Sequence, residues 1–211
     1  MAYMSRKTQS KVQQYAYWPG WRKDTELYVK ICDTCNRARK GPRRKQGEMS
    51  ANYSDGPFNR VHIDLTGPHP TSSGGRQYLL TMIDSFTKYL ICCPLRNKTA
   101  KEVTSAIVKN LILVHEACDL LVSDNGTEFV NEISTGVYEA TGIQHLRVTS
   151  YRPQGNGQIE VTHRLINQVL TKTVKQNLRN WDLLIPSVTF AYNTSRHSST
   201  TFTPYYLIYL R

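Results

Sequence analysis

Two short hydrophobic segments that each lead to an aspartate constrain the fold of this chain more than any other feature. Residues 60–65 alternate like a strand, with Val61, Ile63 and Leu65 on one face and Asp64 on the other. Residues 119–123 are a short apolar run typical of a buried strand, and Asp124 follows it directly. A helix pattern separates the two segments, so the handedness rule for crossovers places the two strands parallel. If these strands are adjacent, Asp64 and Asp124 can approach each other.

The remaining segments predict a mixed α/β domain. Two apolar runs, 78–83 and 89–95, resemble an antiparallel meander with the first strand. Thr99 is placed to cap a helix with apolar residues at helical spacing, and these are Val103, Ile107, Leu111 and Val114. A helix over 128–141 ends at Gly142, and a last strand follows over 144–148. A long helix over about 160–177 and a final helix from about 180 toward 192 complete the order.

The N-terminal part differs in composition from the rest of the chain. Residues 1–40 are predicted to be helical and compact, with a break at Pro19-Gly20 and a short second helix opened by Asp24. Residues 41–57 are basic, polar and rich in Gly and Pro, which is linker composition. We therefore expect a small helical domain at 1–40, a basic linker at 41–57 and the main domain at 58–211.

The charge is concentrated in the same N-terminal part. The whole chain carries +11, and residues 1–50 hold 12 Lys and Arg against 4 Asp and Glu. Such a basic segment suggests a polyanionic partner, most commonly nucleic acid. The sequence shows neither a membrane-spanning apolar run nor a signal-peptide pattern, and its five irregularly spaced cysteines favour a reducing compartment. We therefore expect a soluble intracellular protein.

Three acidic residues stand out as candidates for catalysis. Asp64 lies near the end of its strand, Asp124 directly follows its strand, and Glu160 starts a helix just after the Gly-rich residues 155–157. Phosphoryl transfer on DNA uses two divalent ions about 3.5–4 Å apart, which three carboxylates suit. An Asp at a strand end is more often a turn or cap residue. Glu128 competes with Glu160 because it also lies near Asp124, although it is better explained as a charge at a helix start.

Four segments of the main domain resemble the catalytic core of retroviral and gypsy-type LTR retrotransposon integrases. They are RVHIDLTGP at 60–68, YLLTMIDSFTKY at 78–89, SDNGTEF at 123–129 and YRPQGNGQIE at 151–160. Tyr192-Asn193, His197 and Thr203-Pro204 resemble the end of that core. The resemblance implies a ribonuclease-H-like fold: a mixed five-stranded sheet flanked by helices, with a small helical N-terminal domain.

The N-terminal domain resembles half of the family's His-His-Cys-Cys zinc-binding domain. Cys32 and Cys35 match its cysteine pair, but no histidine precedes His62. Tetrahedral zinc takes four ligands. With two of them absent, we interpret Cys32 and Cys35 as thiols rather than as a stable zinc site.

The resemblance also implies an activity and a mechanism. Asp64, Asp124 and Glu160 are expected to bind two Mg²⁺ or Mn²⁺ ions, for trimming of a DNA 3′ end and its joining to target DNA. The residues expected to contact DNA lie on the Gly-rich loop and one face of the following helix, although a solvated face is an equal alternative. They are Gln154, Asn156, Gln158, Arg164, Asn167 and Lys172. The expected partners are DNA ends, target DNA and further copies of the chain, and the expected location is the nucleus after passage through the cytoplasm.

Departures from the family pattern leave two other functions open. Val161 and His163 stand where the family often has Arg and Asn after the glutamate, and Tyr209-Leu210 replaces a usual Tyr-Gly pair. One alternative is a domesticated or degenerate integrase-like protein that binds DNA without catalysis. The other is a ribonuclease H of the same fold, which the order of the acidic residues and the Gly-rich loop disfavour.

Overall fold

The structure is a computed structural model that describes residues 2–32, 54–148 and 178–211. Its helices, numbered in chain order, are α1 (Ala2–Tyr15), α2 (Trp21–Ile31), α3 (Ala100–Ile107), α4 (Leu113–His115), α5 (Glu132–Thr141), α6 (Trp181–Asn193) and α7 (Pro204–Tyr209). Its strands are β1 (Arg60–Thr66), β2 (Tyr78–Asp84), β3 (Leu90–Leu95), β4 (Leu120–Ser123) and β5 (Gln144–Arg147). The long helix predicted over 160–177 and the Gly-rich loop before it lie outside the described residues.

The five strands form one mixed sheet in the order β3-β2-β1-β4-β5. Strand β2 pairs antiparallel with both β1 and β3, as expected for a meander. Strand β4 lies parallel to β1 on one side and to β5 on the other, because the helices between these strands return the chain to the same end of the sheet. The predicted fold class and the predicted parallel pairing of the two aspartate-bearing segments are confirmed.

Helices cover both faces of this sheet. On one face, Val61 and Ile63 of β1 pack with Leu80 and Met82 of β2 against α3 and α5. The opposite face is covered beside β2 and β3 by α6, whose buried residues there are Trp181, Ile185 and Tyr192. Because side chains alternate along a strand, His62 and Asp64 lie on the face that α6 partly covers.

Two helices differ from the sequence-based expectation at their ends. Leu111 is fully buried as predicted, but Val114 is 61% exposed. The cause is the π-helical segment Val108–Ile112, whose wider turn rotates the residues that follow it. The helix predicted from residue 128 begins instead at Glu132, because Asn131 and Ser134 form a capping box that fixes the helix start.

A buried aspartate and a buried asparagine hold the β2–β3 turn and the edge of the sheet. Asp84 is 1% exposed, and its carboxylate accepts hydrogen bonds from the main-chain N–H groups of Phe58 and Thr87 at 3.0 and 2.8 Å. Asn193, the last residue of α6, bonds to both main-chain groups of Leu90 on β3. Within the Tyr192-Asn193 pair noted in the sequence, Asn193 therefore has a structural role: its side chain links the end of α6 to β3.

The loop between β1 and β2 is fastened to the start of α6. The Trp181 indole N–H donates to the Pro70 carbonyl at 2.8 Å, and the Ser72 hydroxyl donates to Asp182 Oδ2 at 2.8 Å. Gly67 has φ 138°, and a Cβ there would lie 2.7 Å from the Gln77 carbonyl oxygen. This position therefore admits only glycine, directly after the strand that carries Asp64.

The N-terminal part forms two helices, as predicted. The second helix begins at Trp21, after Gly20 with φ 87°, and so three residues before Asp24. Asp24 instead accepts a hydrogen bond from the Trp18 indole at 2.6 Å. Across the described ranges, no helix combines the length and the apolar character that crossing a membrane requires.

Candidate active site

The strand register brings Asp64 and Asp124 together. In the parallel β1–β4 pair, Val61 lies beside Leu121 and His62 beside Val122. Continued by two residues, this register places Asp64 beside Asp124. Adjacent strands lie about 4.8 Å apart, and in-register residues of parallel strands point to the same face. Extension of the register thus places the two aspartates next to each other at the carboxyl ends of the two strands, on the face opposite the α3–α5 layer.

Asp64 lies where β1 emerges from the core. The strand is buried from Val61 to Ile63 and half-buried from Asp64 onward. Asp64 Oδ1 accepts a hydrogen bond from the Leu65 N–H at 2.8 Å, and its carbonyl accepts one from the Thr81 hydroxyl at 3.2 Å. The side chain is thus anchored by the sheet while remaining accessible from solvent.

Both the carboxylate and the main-chain carbonyl of Asp124 accept hydrogen bonds. Its carboxylate Oδ1 accepts from the Gly126 N–H at 3.0 Å, which is the turn role that the sequence offered as the ordinary interpretation. Its main-chain carbonyl accepts from the Ser123 hydroxyl at 2.7 Å. The turn therefore fixes this half-buried carboxylate in place, so a turn role and a ligand role are compatible.

Glu128 lies at the same turn. A Cβ added at Gly126 would be 2.9 Å from Glu128 Oε2 and 3.0 Å from Asp124 Oδ1, so both carboxylates flank this glycine. Glu128 precedes the first residue of α5 by four positions. Its charge is therefore not explained by a helix start, and it remains an acidic neighbour of Asp124.

A buried serine and a histidine join the site from the other face of the sheet. Ser123 is 0% exposed, and its hydroxyl lies 2.8 Å from His145 Nε2 on β5. Burial lowers the pKa of the His145 imidazole, and the charge of Arg147 acts in the same direction. Sequence analysis missed this pair, because 22 residues separate its members and no local pattern links them.

Of the other predicted site residues, Cys32 lies in the described part of the chain. Cys32 follows α2, where its N–H donates to the Tyr28 carbonyl at 3.1 Å. Eight predicted site residues lie outside the described residues: Glu160, Cys35, Gln154, Asn156, Gln158, Arg164, Asn167 and Lys172. Within the described part, no three His, Cys, Asp or Glu side chains group closely enough to hold a metal ion.

The chain is similar to known proteins both in sequence and in structure. A family model described as the integrase core domain matches residues 54–153, and one described as the integrase zinc binding domain matches residues 4–41. The retrovirus-related Pol polyprotein from transposon 412 of Drosophila melanogaster is 30% identical over 205 residues, which are 97% of this chain and 17% of that protein. Gypsy retrotransposon integrase-like protein 1 of Homo sapiens is 28% identical over 209 residues, which are 97% of this chain and 39% of that protein. The chain thus spans well under half the length of these relatives.

Two solved structures share the fold. One is the simian T-cell lymphotropic virus intasome in complex with PP2A regulatory subunit B56 gamma, with a TM-score of 0.68 and 16% identity over 96% of this chain and 70% of that chain. The other is the HTLV-2 integrase catalytic core domain in complex with magnesium (trimeric form), with a TM-score of 0.61 and 18% identity over 74% of this chain and 99% of that chain. At such identities, these likenesses establish the architecture alone.

The sheet order and the two structural likenesses define a ribonuclease-H-like fold. The matched core and zinc-binding domains lie one after the other in this chain, and its relatives are retrotransposon and retroviral proteins. The chain therefore belongs to the integrase family of retroviruses and LTR retrotransposons, a family of polynucleotidyl transferases.

Proposed function

We propose that this chain is the integrase of a gypsy-type LTR retrotransposon, which trims DNA 3′ ends and joins them to target DNA. Asp64, Asp124 and Glu160 are its catalytic carboxylates in this proposal. The observation that carries it is the β1–β4 register, which sets Asp64 beside Asp124 at the carboxyl ends of parallel strands. Glu160 is included as the third carboxylate because it is the last residue of the YRPQGNGQIE segment, which resembles the family's glutamate motif.

The donor set suits divalent metal ions. Mg²⁺ and Mn²⁺ prefer carboxylate oxygens, and both aspartates are half-buried, so that an ion can reach them from solvent. Asp64, Asp124 and Glu160 would hold two such ions. When bound, these ions supply activation of the attacking oxygen and stabilisation of the leaving oxygen in an in-line displacement.

The residues of the chain contribute position and charge. The sheet holds Asp64, and the turn through Gly126 holds Asp124, before any ion arrives. Two neighbouring carboxylates repel each other unless a cation lies between them. The protein therefore presents a fixed pair of negative charges whose electrostatic cost is relieved by metal binding.

Nucleic acid is the partner that the composition favours. The net charge of +11 is concentrated before residue 50, which suits contact with DNA phosphates. We assign contacts with DNA ends to the loop residues Gln154, Asn156 and Gln158. Contacts with DNA phosphates are assigned to Arg164, Asn167 and Lys172 on the helix that follows Glu160 in the sequence-based prediction. The proposal includes action as a homo-oligomer on two DNA ends, and location in the nucleus, where the target DNA lies.

The matched N-terminal segment supplies two cysteines toward a zinc site. Residues 4–41 match the zinc-binding domain, but they contain Cys32 and Cys35 and no histidine. Two ligands fall short of the four that a structural zinc site requires. No zinc-dependent step is therefore included in the proposed function.

Strand transfer of a labelled DNA duplex end into a plasmid, with Mn²⁺, tests this function. The variants are Asp64→Asn, Asp124→Asn and Glu160→Gln, and each is expected to abolish joined products while the protein still binds DNA. Asp119→Asn is the matched control, because Asp119 is an exposed aspartate just before β4 and is expected to leave joining intact. Glu128→Gln asks whether the acidic neighbour at Gly126, rather than Glu160, completes the set.

The outcomes separate the candidate functions. Loss of joining in all three variants, with Asp119→Asn and Glu128→Gln active, supports an integrase with the assigned carboxylates. Binding of DNA without products from the unmodified chain would contradict catalysis and favour the domesticated binding protein. Cleavage of an RNA–DNA hybrid without strand joining would identify a ribonuclease H instead.

A further inference from the structure

The Ser123–His145 pair lies directly beneath Asp124. Ser123 is the last residue of β4 and is 0% exposed, so its hydroxyl has to find its hydrogen-bond partners within the protein. Two partners are present: the Asp124 carbonyl oxygen at 2.7 Å and His145 Nε2 at 2.8 Å. Both distances are typical of good hydrogen bonds.

The direction of these hydrogen bonds follows from the number of protons. A carbonyl oxygen only accepts, so the single hydroxyl proton of Ser123 is donated to Asp124. The oxygen of Ser123 can then only accept a hydrogen bond from His145, which requires the proton of the neutral ring to lie on Nε2. The result is a continuous chain from the His145 N–H through the Ser123 hydroxyl to the Asp124 carbonyl.

Neighbouring groups hold the imidazole in place for this role. The Tyr138 ring packs edge-on against His145, with 5.0 Å between the ring centroids. Arg147, two residues along β5, pairs with Ser123 in the strand register, and the Val148 N–H donates to the Ser123 carbonyl at 2.8 Å. The β4–β5 pairing is thus already supplied by main-chain bonds, so the side-chain pair is not needed to join the strands.

We propose that Ser123 and His145 are positioning residues that fix Asp124 as a metal ligand. The inference rests on the proposed function, in which Asp124 binds a divalent ion. The Gly126 N–H orients the carboxylate of Asp124, and the hydrogen-bond chain from His145 fixes its main chain. With both ends held, the carboxylate keeps its position beside Asp64 instead of rotating away, which lowers the cost of ordering it when an ion binds.

The test measures Mn²⁺ binding by the full chain with isothermal titration calorimetry, without any DNA. Ser123→Thr and Ser123→Val form a matched pair, because both add a branched side chain of similar volume in the same buried space and only threonine keeps the hydroxyl. We expect the valine variant to bind Mn²⁺ about tenfold more weakly than the threonine variant, as is typical when a group supporting a ligand is lost. Strand transfer in the valine variant should then need about tenfold more Mn²⁺ but reach the same plateau.

A second pair guards against poor folding of the buried variants. His145 is half-buried on β5, a four-residue strand, where His145→Gln keeps a side-chain N–H donor and His145→Leu does not. The leucine variant should bind Mn²⁺ more weakly than the glutamine variant, with thermal unfolding temperatures that match. Equal Mn²⁺ affinities within each folded pair would overturn the inference.

Asp124→Asn distinguishes failure of the inference from failure of the proposed function. If this variant loses Mn²⁺ binding while both matched pairs show no difference, Asp124 is a ligand and the positioning role is wrong. If Asp124→Asn binds Mn²⁺ as tightly as the unmodified chain, the proposed metal site itself is wrong, and the inference falls with it.

Discussion

Replacement of Asn193 by alanine tests how the last residue of α6 holds the edge of the sheet. Asn193 is 3% exposed. Its Oδ1 accepts from the Leu90 N–H at 2.9 Å, and its Nδ2 donates to the Leu90 carbonyl at 2.8 Å. Leu90 is 0% exposed, so both of its main-chain groups depend on one side-chain amide for their hydrogen bonds.

The expected cost follows from these two bonds. A hydrogen bond contributes about 0.5–1.5 kcal/mol net, and a buried polar group left without a partner costs about 1–3 kcal/mol. Asn193→Ala removes two bonds and leaves two main-chain groups unsatisfied, while water entering the vacated space recovers part of the loss. We therefore expect the free energy of unfolding to fall by about 2–4 kcal/mol.

Urea unfolding followed by tryptophan fluorescence measures this change, with the slope against urea expected to stay constant. Asn110→Ala is the matched control, since Asn110 is exposed and its Nδ2 donates one local bond to the Ala106 carbonyl at 2.8 Å. That control should lose about 1 kcal/mol or less. In hydrogen exchange, the Leu90 amide should lose protection in Asn193→Ala alone. A loss of stability no larger than that of the control, or unchanged protection at Leu90, would refute the reasoning.

Three further outcomes follow from buried groups. Asp84→Asn should lower the free energy of unfolding by about 2–3 kcal/mol in the same urea assay, because the new amide N–H₂ faces N–H and O–H donors on both sides. Burial lowers the pKa of His115 below 6.5 in the folded chain, so the unfolded chain takes up a proton first as the pH falls. Stability should therefore decline below pH 6.5 until the folded pKa is reached, and His115→Gln should make the urea midpoint less dependent on pH there; an unchanged pH profile would contradict this. Burial raises the pKa of Cys92, Cys93 and Cys118 to about 12, so mass spectrometry should find these thiols alkylated at about pH 7 only after unfolding, and modification in the folded chain would count against it.

The architecture was predictable because its determinants are local or topological. Alternation over 60–65 places Val61 and Ile63 on the core face, and the structure buries both. The crossover rule then made β4 parallel to β1, and this pairing is what sets Asp64 beside Asp124. The two aspartates could therefore be paired from the amino-acid sequence, because each is tied to the end of a regular strand.

The remaining features depend on contacts that are remote in sequence or on small competing energies. Ser123 and His145 lie 22 residues apart on different strands, and only the register of β4 and β5 brings them together. The late start of α5 reflects an Asn131–Ser134 capping box, whose serine at the third helical position is not the usual Glu or Gln. The π-helical segment Val108–Ile112, which turns Val114 outward, interrupts a helix whose apolar residues are regularly spaced in the sequence, so the spacing gave no sign of it. Of these features, the Ser123–His145 contact is the one that borders Asp124.

The tie between α6 and β3 also bears on how copies of the chain could associate. Residues of β3 alternate in direction, and the Leu95 carbonyl faces β2, so Leu90, Cys92 and Pro94 direct their main-chain groups outward. Asn193 occupies both groups of Leu90, and proline has no N–H. Of these three residues, only Cys92 then has both a main-chain N–H and a main-chain carbonyl that point outward and are not bonded to Asn193. One such residue provides too few hydrogen-bonding groups to pair with a strand of a second molecule. The β3 edge is therefore a poor site for extending the sheet with a strand of a second molecule, and this leaves β5 as the other edge of the sheet.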